Sequence, residues 1–164
     1  MHESARIVRF IRAEETHTLR QRVLRPFQEI SQMVYAGDDD ADTVHFGAFM
    51  PTGELAAVAS LYRAKLSTPH FSEATHDGHA WQFRGVASAP EFRGAGFGGK
   101  VQRAIIAHVR ARAGRVLWCN ARVSAVWFYE HFGMRVVSEP FDIPRIGPHV
   151  VMVGEMADLA ASVP

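Results

Sequence analysis

The run Arg93-Gly94-Ala95-Gly96-Phe97-Gly98-Gly99-Lys100 stands directly before a stretch whose apolar residues, Val101, Ile105 and Val109, recur at helical spacing. A chain written this way must leave a strand, cross a tight glycine loop and open a helix. Such a loop presents bare backbone N–H groups at a helix N-terminus, where the macrodipole also favours negative charge. Glycine serves there because a side chain would hold a phosphate away from the backbone, and because a positive φ is open to it. The loop therefore predicts a ligand that carries phosphate.

Three kinds of phosphate loop compete for these residues. Gly94-x-Gly96-x-x-Gly99 has the spacing of a dinucleotide fingerprint, which needs an acidic residue about 20 positions on to hold a ribose hydroxyl. From Phe92 to Tyr129 there is no Asp or Glu, and the loop follows more than half of the chain rather than opening it. Gly94-x-x-x-x-Gly99-Lys100 matches a nucleotide-triphosphate loop until Val101, which stands where a magnesium-binding hydroxyl is required. The following apolar strand, Val116 to Cys119, offers no Asp for that metal. Arg93-x-x-Gly96-x-Gly98 needs neither a ribose carboxylate nor a metal.

That third pattern resembles the pyrophosphate loop of the GCN5-related N-acetyltransferases (GNAT), Gln/Arg-x-x-Gly-x-Gly/Ala between the fourth strand and the third helix. The neighbouring residues carry the same resemblance. Trp81 to Ala87 is similar to the fourth strand, and Leu117 to Arg122 to the fifth, with Asn120 near its end. Ser124 to Met134 resembles the fourth helix and closes on Phe128-Tyr129-x-x-x-Gly133-Met134, with Met134 where Phe is commoner. The resemblance implies an α/β (α+β) acyl-CoA N-acyltransferase fold. Its mixed, mostly antiparallel sheet of about six to seven strands is flanked by helices and splayed between strands 4 and 5.

Pattern and composition fit that fold. At 164 residues and 48% hydrophobic content, one domain spanning residues 1–164 with a proper core is expected. Ala5 to Ile11 reads as a strand, and Glu14 to Arg25 as a helix with Leu19 and Val23 on one face, halted by Pro26. A second short helix is expected over Phe27 to Tyr35, followed by an acidic loop, Gly37 to Asp42. Thr43 to Met50 and Leu55 to Arg63 read as a hairpin around Pro51-Thr52-Gly53-Glu54. Gly98 to Ala113 is the helix after the glycine loop, closed by Gly114. Pro140 to Pro148 reads as a loop before a last strand, His149 to Met156.

The formal net charge of +1 hides an asymmetry. Phe92 to Tyr129 carries Arg93, Lys100, Arg103, Arg110, Arg112, Arg115 and Arg122 against no acid, which suits a polyanion such as coenzyme A. No basic array with interleaved aromatics runs through the domain, so no nucleic acid is expected as a partner. The single cysteine, Cys119, excludes an internal disulfide and fits a reducing compartment; within an apolar strand it reads as a small buried hydrophobe. No apolar run is long enough to span a bilayer and no leader is apparent, so no membrane association and a cytoplasmic location are expected.

The resemblance also implies roles. Backbone groups of Val86 and Ala87 would pair with the pantetheine arm of acetyl-CoA, one of them serving as an oxyanion donor. The pyrophosphate would rest on Gly94, Ala95, Gly96, Phe97, Gly98 and Gly99, with Arg93 and Lys100 supplying positive charge. Asn120 would bond the pantetheine amide, or simply act as a turn residue. Tyr129 would protonate the departing thiolate, since a phenol of pKa about 10 can supply a thiolate whose acid lies near 8.5. No metal is implied. Many relatives place a glutamate on the fourth strand as general base, whereas this chain has Gln82, Phe83 and Arg84. Glu73, His76, Asp77, His45 and His149 are candidates by position for the base. Arg84 suggests a charged acceptor site, and Arg20, Arg22 and Arg25 either line an anionic acceptor or solvate a helix. The acceptor is a small-molecule or peptide amine, and the chain a monomer or homodimer. Two rivals stand beside the enzyme: a catalytically silent coenzyme A-binding regulatory domain, and a nucleotide-binding enzyme of the phosphate-loop kind.

Overall fold

A computed structural model describes residues 7–66 and 78–159. Among the described residues, eight strands form one mixed sheet: β1 (Val8–Ile11), β2 (Val44–Phe49), β3 (Leu55–Arg63), β4 (Ala80–Ser88), β5 (Val116–Arg122), β6 (Arg135–Val136), β7 (Phe141–Ile143) and β8 (Gly147–Glu155). Their order is β1-β2-β3-β4-β5-β8-β6, with β7 paired to β8. Pairing is antiparallel between β1 and β2, β2 and β3, and β5 and β8, and parallel between β4 and β5. The parallel ladder joins Ala80 to Gln82 with Val116 to Trp118, and β5 continues along β8 as far as Arg122 opposite His149.

The chain divides into two compact units, 1–62 with 84–105, and 63–83 with 106–164. Both boundaries after residue 63 fall inside regular elements, one within β4 and one within α2 (Phe97–Ala111). In the first unit Ile11, Leu19, Val58, Ala87 and Ala89 form a buried cluster, with Val23 and Leu24 packed on it. In the second, Leu66, Ala80, Val116, Val137 and Val153 do the same, beneath Trp118 and Val151.

Local sequence explains most elements and misjudges a few. The helix expected from Glu14 is a 3₁₀ turn (Ala13–Thr16), a single α turn α1 (His17–Leu19) and a π turn (Arg20–Leu24), ending before Pro26. The π turn widens the helix where Arg20 is drawn fully inward, and a buried side-chain tether of that kind overrides local propensity. Only Ile30–Met33 is helical in the next segment, as a 3₁₀ turn. Val101, Ile105 and Val109 line the buried face of α2. Its end departs from the expected glycine cap: Ala113 takes the left-handed conformation at φ 56°, while the Gly114 N–H donates to the Val109 carbonyl over 2.9 Å. Gly114 is needed for space instead, because a Cβ there would come within 2.9 Å of the Trp81 ring and strike Val109. The proline-rich segment is no simple loop. Phe141–Ile143 forms β7 and pairs with Gly147 to His149 across a turn in which Arg145 sits at φ 69°, and this adds the eighth strand.

Candidate active site

The glycine loop belongs to the first unit and takes the form its sequence requires. A 3₁₀ turn, Pro90–Phe92, ends at Arg93, and Gly94 and Gly96 follow at φ 85° and 84°. Neither glycine has any atom within 4 Å of the place a Cβ would occupy, so the demand there is conformational and the space above the loop is open. Phe97 is buried and anchors the start of α2, while Arg93 to Gly96 are exposed. The Lys100 N–H donates to the Gly96 carbonyl over 3.1 Å, which makes Gly96 the N-cap. The N–H groups of Phe97, Gly98 and Gly99 therefore precede the helical ladder and are free to bind an anion. With Gly96 as cap, Lys100 lies in the second half of the first turn and is half-buried.

On β4, Arg84 to Ser88 also belong to the first unit. Ala87 is packed into the core and Val86 is half-buried. Gly85 adopts φ 63°, a kink in the strand of the kind that interrupts a ladder. Behind it lies a buried polar cluster that the sequence did not reveal. Arg20, completely buried, donates from Nη1 to Asp38 Oδ2 at 2.7 Å and to the Met33 carbonyl at 2.7 Å. From Nη2 it donates to Asp38 Oδ1 at 3.0 Å and to Ser60 Oγ at 2.7 Å. Tyr62 donates its hydroxyl to Asp38, and His45 meets Ser60 Oγ through Nδ1 at 2.6 Å and the Asp38 carbonyl through Nε2 at 3.0 Å. Both ring nitrogens of His45 are thus engaged, and it is a structural residue rather than a base.

Burial alone would raise the Asp38 pKa, but the hydrogen bonds from Arg20 and Tyr62 outweigh it and hold the carboxyl at about 2. Burial, with Asp38 alongside, pushes the Tyr62 phenol up to about 12. Arg20 is consequently committed inside the protein and cannot line an acceptor site. Arg22 is the exposed arginine of that helix and pairs with Glu91 at 2.6 Å beside the glycine loop.

The second unit holds Tyr129, Asn120 and His149. Tyr129 lies on α3 (Val126–Glu130), 7% exposed, its ring 5.2 Å from those of Phe83 and Phe128. Burial in this apolar setting, with Cys119 nearby, drives the phenol pKa far upward, so the group stays protonated at any working pH. Asn120 is exposed on β5 and paired in register with Val151. His149 is buried, stacked on Phe141 at 6.0 Å, with Nδ1 2.8 Å from the Gly147 carbonyl. Cys119 is buried and its thiol pKa is raised by that burial, as befits a packing residue. Trp127 is 71% exposed and lines no core. Glu73, His76 and Asp77 lie outside the described residues. Among the described residues no group of acidic, histidine or cysteine side chains is arranged to hold a metal ion, and no helix is long and apolar enough to cross a membrane.

The family model of the acetyltransferase (GNAT) family matches residues 9–134, which spans β1, the loop, β5 and the Tyr129 helix. The chain belongs to the GNAT acetyltransferase family. It is 36% identical over 149 residues to an uncharacterized N-acetyltransferase of Bacillus subtilis (strain 168), YitI, covering 88% of this chain and 93% of that protein. Its fold matches Escherichia coli ElaA with a TM-score of 0.70 at 19% identity, over 90% of this chain and 98% of the other. It also matches an aminoglycoside acetyltransferase, AAC(6')-Ib, in complex with coenzyme A, with a TM-score of 0.63 at 18% identity over 90% and 93%. The GNAT fold is thus established, as an open eight-stranded mixed sheet with helices beside it.

Proposed function

We propose that this GNAT protein transfers the acetyl group of acetyl-CoA to a primary amine by direct attack in a ternary complex. The observation that carries the reading is the loop from Arg93 to Lys100, with two exposed left-handed glycines, open space above them and three unladdered N–H groups at the head of a fifteen-residue helix. The residues fit a pyrophosphate, which would take charge-assisted hydrogen bonds from Phe97, Gly98 and Gly99 and a salt link from Arg93. The main chain of Val86 and Ala87 would hold the pantetheine arm and aim one N–H at the developing oxyanion, and Asn120 would bond a pantetheine amide.

Tyr129 is assigned as the general acid. Its raised pKa keeps the proton on the phenol at working pH and makes it a weaker acid than a free phenol. The transfer therefore relies on the same apolar surroundings raising the proton affinity of the departing thiolate. Proton removal from the amine is assigned to His149. Its Nδ1–H is spent on the Gly147 carbonyl, which leaves the lone pair on Nε2. Residues 1–164 are read as a single GNAT acetyltransferase domain. The enzyme would act in the cytoplasm, where acetyl-CoA is available.

A thermal-shift series with acetyl-CoA, free coenzyme A, NADH and Mg-ATP tests the ligand. At about 100 times the dissociation constant, a ligand adds about 2.7 kcal/mol to stability. A shift with the two coenzyme A species alone supports the reading, and a shift with a nucleotide alone ends it. Tyr129→Phe should then keep the acetyl-CoA shift while kcat falls by about 10²- to 10⁴-fold. Binding with no turnover of any amine by the unmodified protein would favour a silent coenzyme A-binding regulator instead.

A further inference from the structure

Around Tyr35 and Tyr62 the first unit gathers one arginine paired to a buried carboxylate and a second that is not. Arg20 and Asp38 neutralise each other as a buried two-pronged pair. Arg84 adds a further positive charge. Its guanidinium carbon lies 5.2 Å from the centre of the Tyr35 ring and 5.1 Å from that of Tyr62, and Nη1 donates to the Ala36 carbonyl over a long 3.3 Å. Among the described residues no carboxylate pairs with it.

The clamp around Arg84 is rigid because its walls are tied from behind. The Tyr35 ring also stacks on Arg20 at 4.0 Å, the Tyr35 N–H donates to Asp38 Oδ2 over 2.9 Å, and Tyr62 is held by its hydroxyl bond to Asp38. Gly85 lets the backbone of β4 lie directly on this cluster, since a Cβ there would approach Arg20 Nε to 3.2 Å and Tyr35 Cε2 to 3.3 Å. A guanidinium has five donors in a planar fork, and one is used here. Two aromatic rings and the Ala36 carbonyl restrict that fork, so less side-chain freedom remains to be lost when an anion docks.

We propose that Arg84 binds a carboxylate of the acceptor, so that the acceptor is an amine that also carries a carboxylate, the amino-acid class. This inference rests on the acetyltransferase reading above. An arginine with no ion-paired carboxylate among the described residues matches a monoanion, and a guanidinium fork matches the two oxygens of a carboxylate. The position agrees: Arg84 stands two residues before Val86, a strand advance of about 7 Å, on the segment assigned to the reacting end of the pantetheine arm.

The test measures coenzyme A thiol release by the full chain with acetyl-CoA and matched acceptors, each L-amino acid against its own carboxamide, and β-alanine against O-phosphoethanolamine. At least one free acid should exceed its carboxamide tenfold or more in kcat/KM, chiefly through KM. Arg84→Gln should bring that ratio close to one, Arg84→Lys should retain part of it, and both variants should keep the acetyl-CoA melting shift. Equal rates for acid and carboxamide, or a preference that survives Arg84→Gln, overturn the assignment. Preference for O-phosphoethanolamine assigns the site to phosphate and overturns it too. Retention of the melting shift with turnover of no acceptor overturns the acetyltransferase reading itself.

Discussion

Two arginine sites in the first unit use the same side chain in opposite ways. At the glycine loop Arg93 is exposed, its neighbours are bare backbone, and every element of the site lies within eight consecutive residues. At the buried cluster Arg20 has no solvent exposure, and its side-chain partners Asp38, Ser60 and Tyr62 stand 18, 40 and 42 residues away. The loop leaves backbone N–H donors free at the head of α2. The cluster has already supplied the countercharge, and of the guanidinium donors only Nε–H lacks a partner. Burial separates the arginine proposed to bind from the structural one, and local sequence reports burial poorly.

Asp38→Ala should give the largest effect, because it strands the Arg20 guanidinium in a buried site. Breaking such a pair from one side costs about 3–5 kcal/mol, read as a loss of denaturation free energy in urea. The double replacement Arg20→Met with Asp38→Ala should cost less than Asp38→Ala alone, because no unpaired charge remains. A loss below about 1 kcal/mol for Asp38→Ala, the range of an exposed pair, would erase the contrast between the two sites.

Acid should act on the same pair. The folded-state Asp38 pKa of about 2 lies below its ordinary 3.8, so the carboxylate contributes stability that is fully present above the unfolded value. That contribution, about 2 kcal/mol, disappears as pH falls through 3.8 toward 2. Unfolding free energies measured from pH 6 downward should show the loss in the unmodified chain and a shallower slope in the double variant.

At the loop the balance reverses, with binding hurt more than folding. Gly96→Val imposes a side chain at φ 84°, a strain of about 1–2 kcal/mol. It also places a branched group in the open space proposed for the pyrophosphate. Acetyl-CoA affinity should fall at least tenfold, about 1.4 kcal/mol, which calorimetric titration would detect. An unchanged affinity would detach the loop from the cofactor. The smallest effect belongs to Glu91→Gln. Its carboxylate pairs with Arg22 in solvent, 46% and 48% exposed, so the melting midpoint should stay put and be insensitive to salt.

Legibility followed sequence distance. The strand, glycine loop and helix were readable because backbone conformation and amphipathic spacing are local, and Val101, Ile105 and Val109 are buried as that spacing requires. Gly94 and Gly96 take the positive φ that their identity suggested. Tyr129 was proposed from its place in a motif, and its burial against Phe83 and Phe128 came only from the tertiary structure. The histidines divided only in three dimensions: His45 is saturated on both nitrogens, whereas His149 has Nδ1 tied to a carbonyl. The segment around Pro140 read as a loop because its prolines depress strand propensity, and pairing of Phe141–Ile143 with the start of β8 overrode that preference.

By itself, then, the sequence determined the family, most of the element order and a glycine loop of positive φ at the head of a helix. These depend on φ preferences, on side-chain period and on residues that touch their own neighbours. Only the tertiary structure decided which charges remain available. Arg20, Arg22 and Arg84 are equally basic on paper, but Asp38 consumes the first, Glu91 and water attend the second, and two tyrosine rings hold the third. The fate of a charge depends on what surrounds it, and residues brought from distant parts of the chain supply those surroundings.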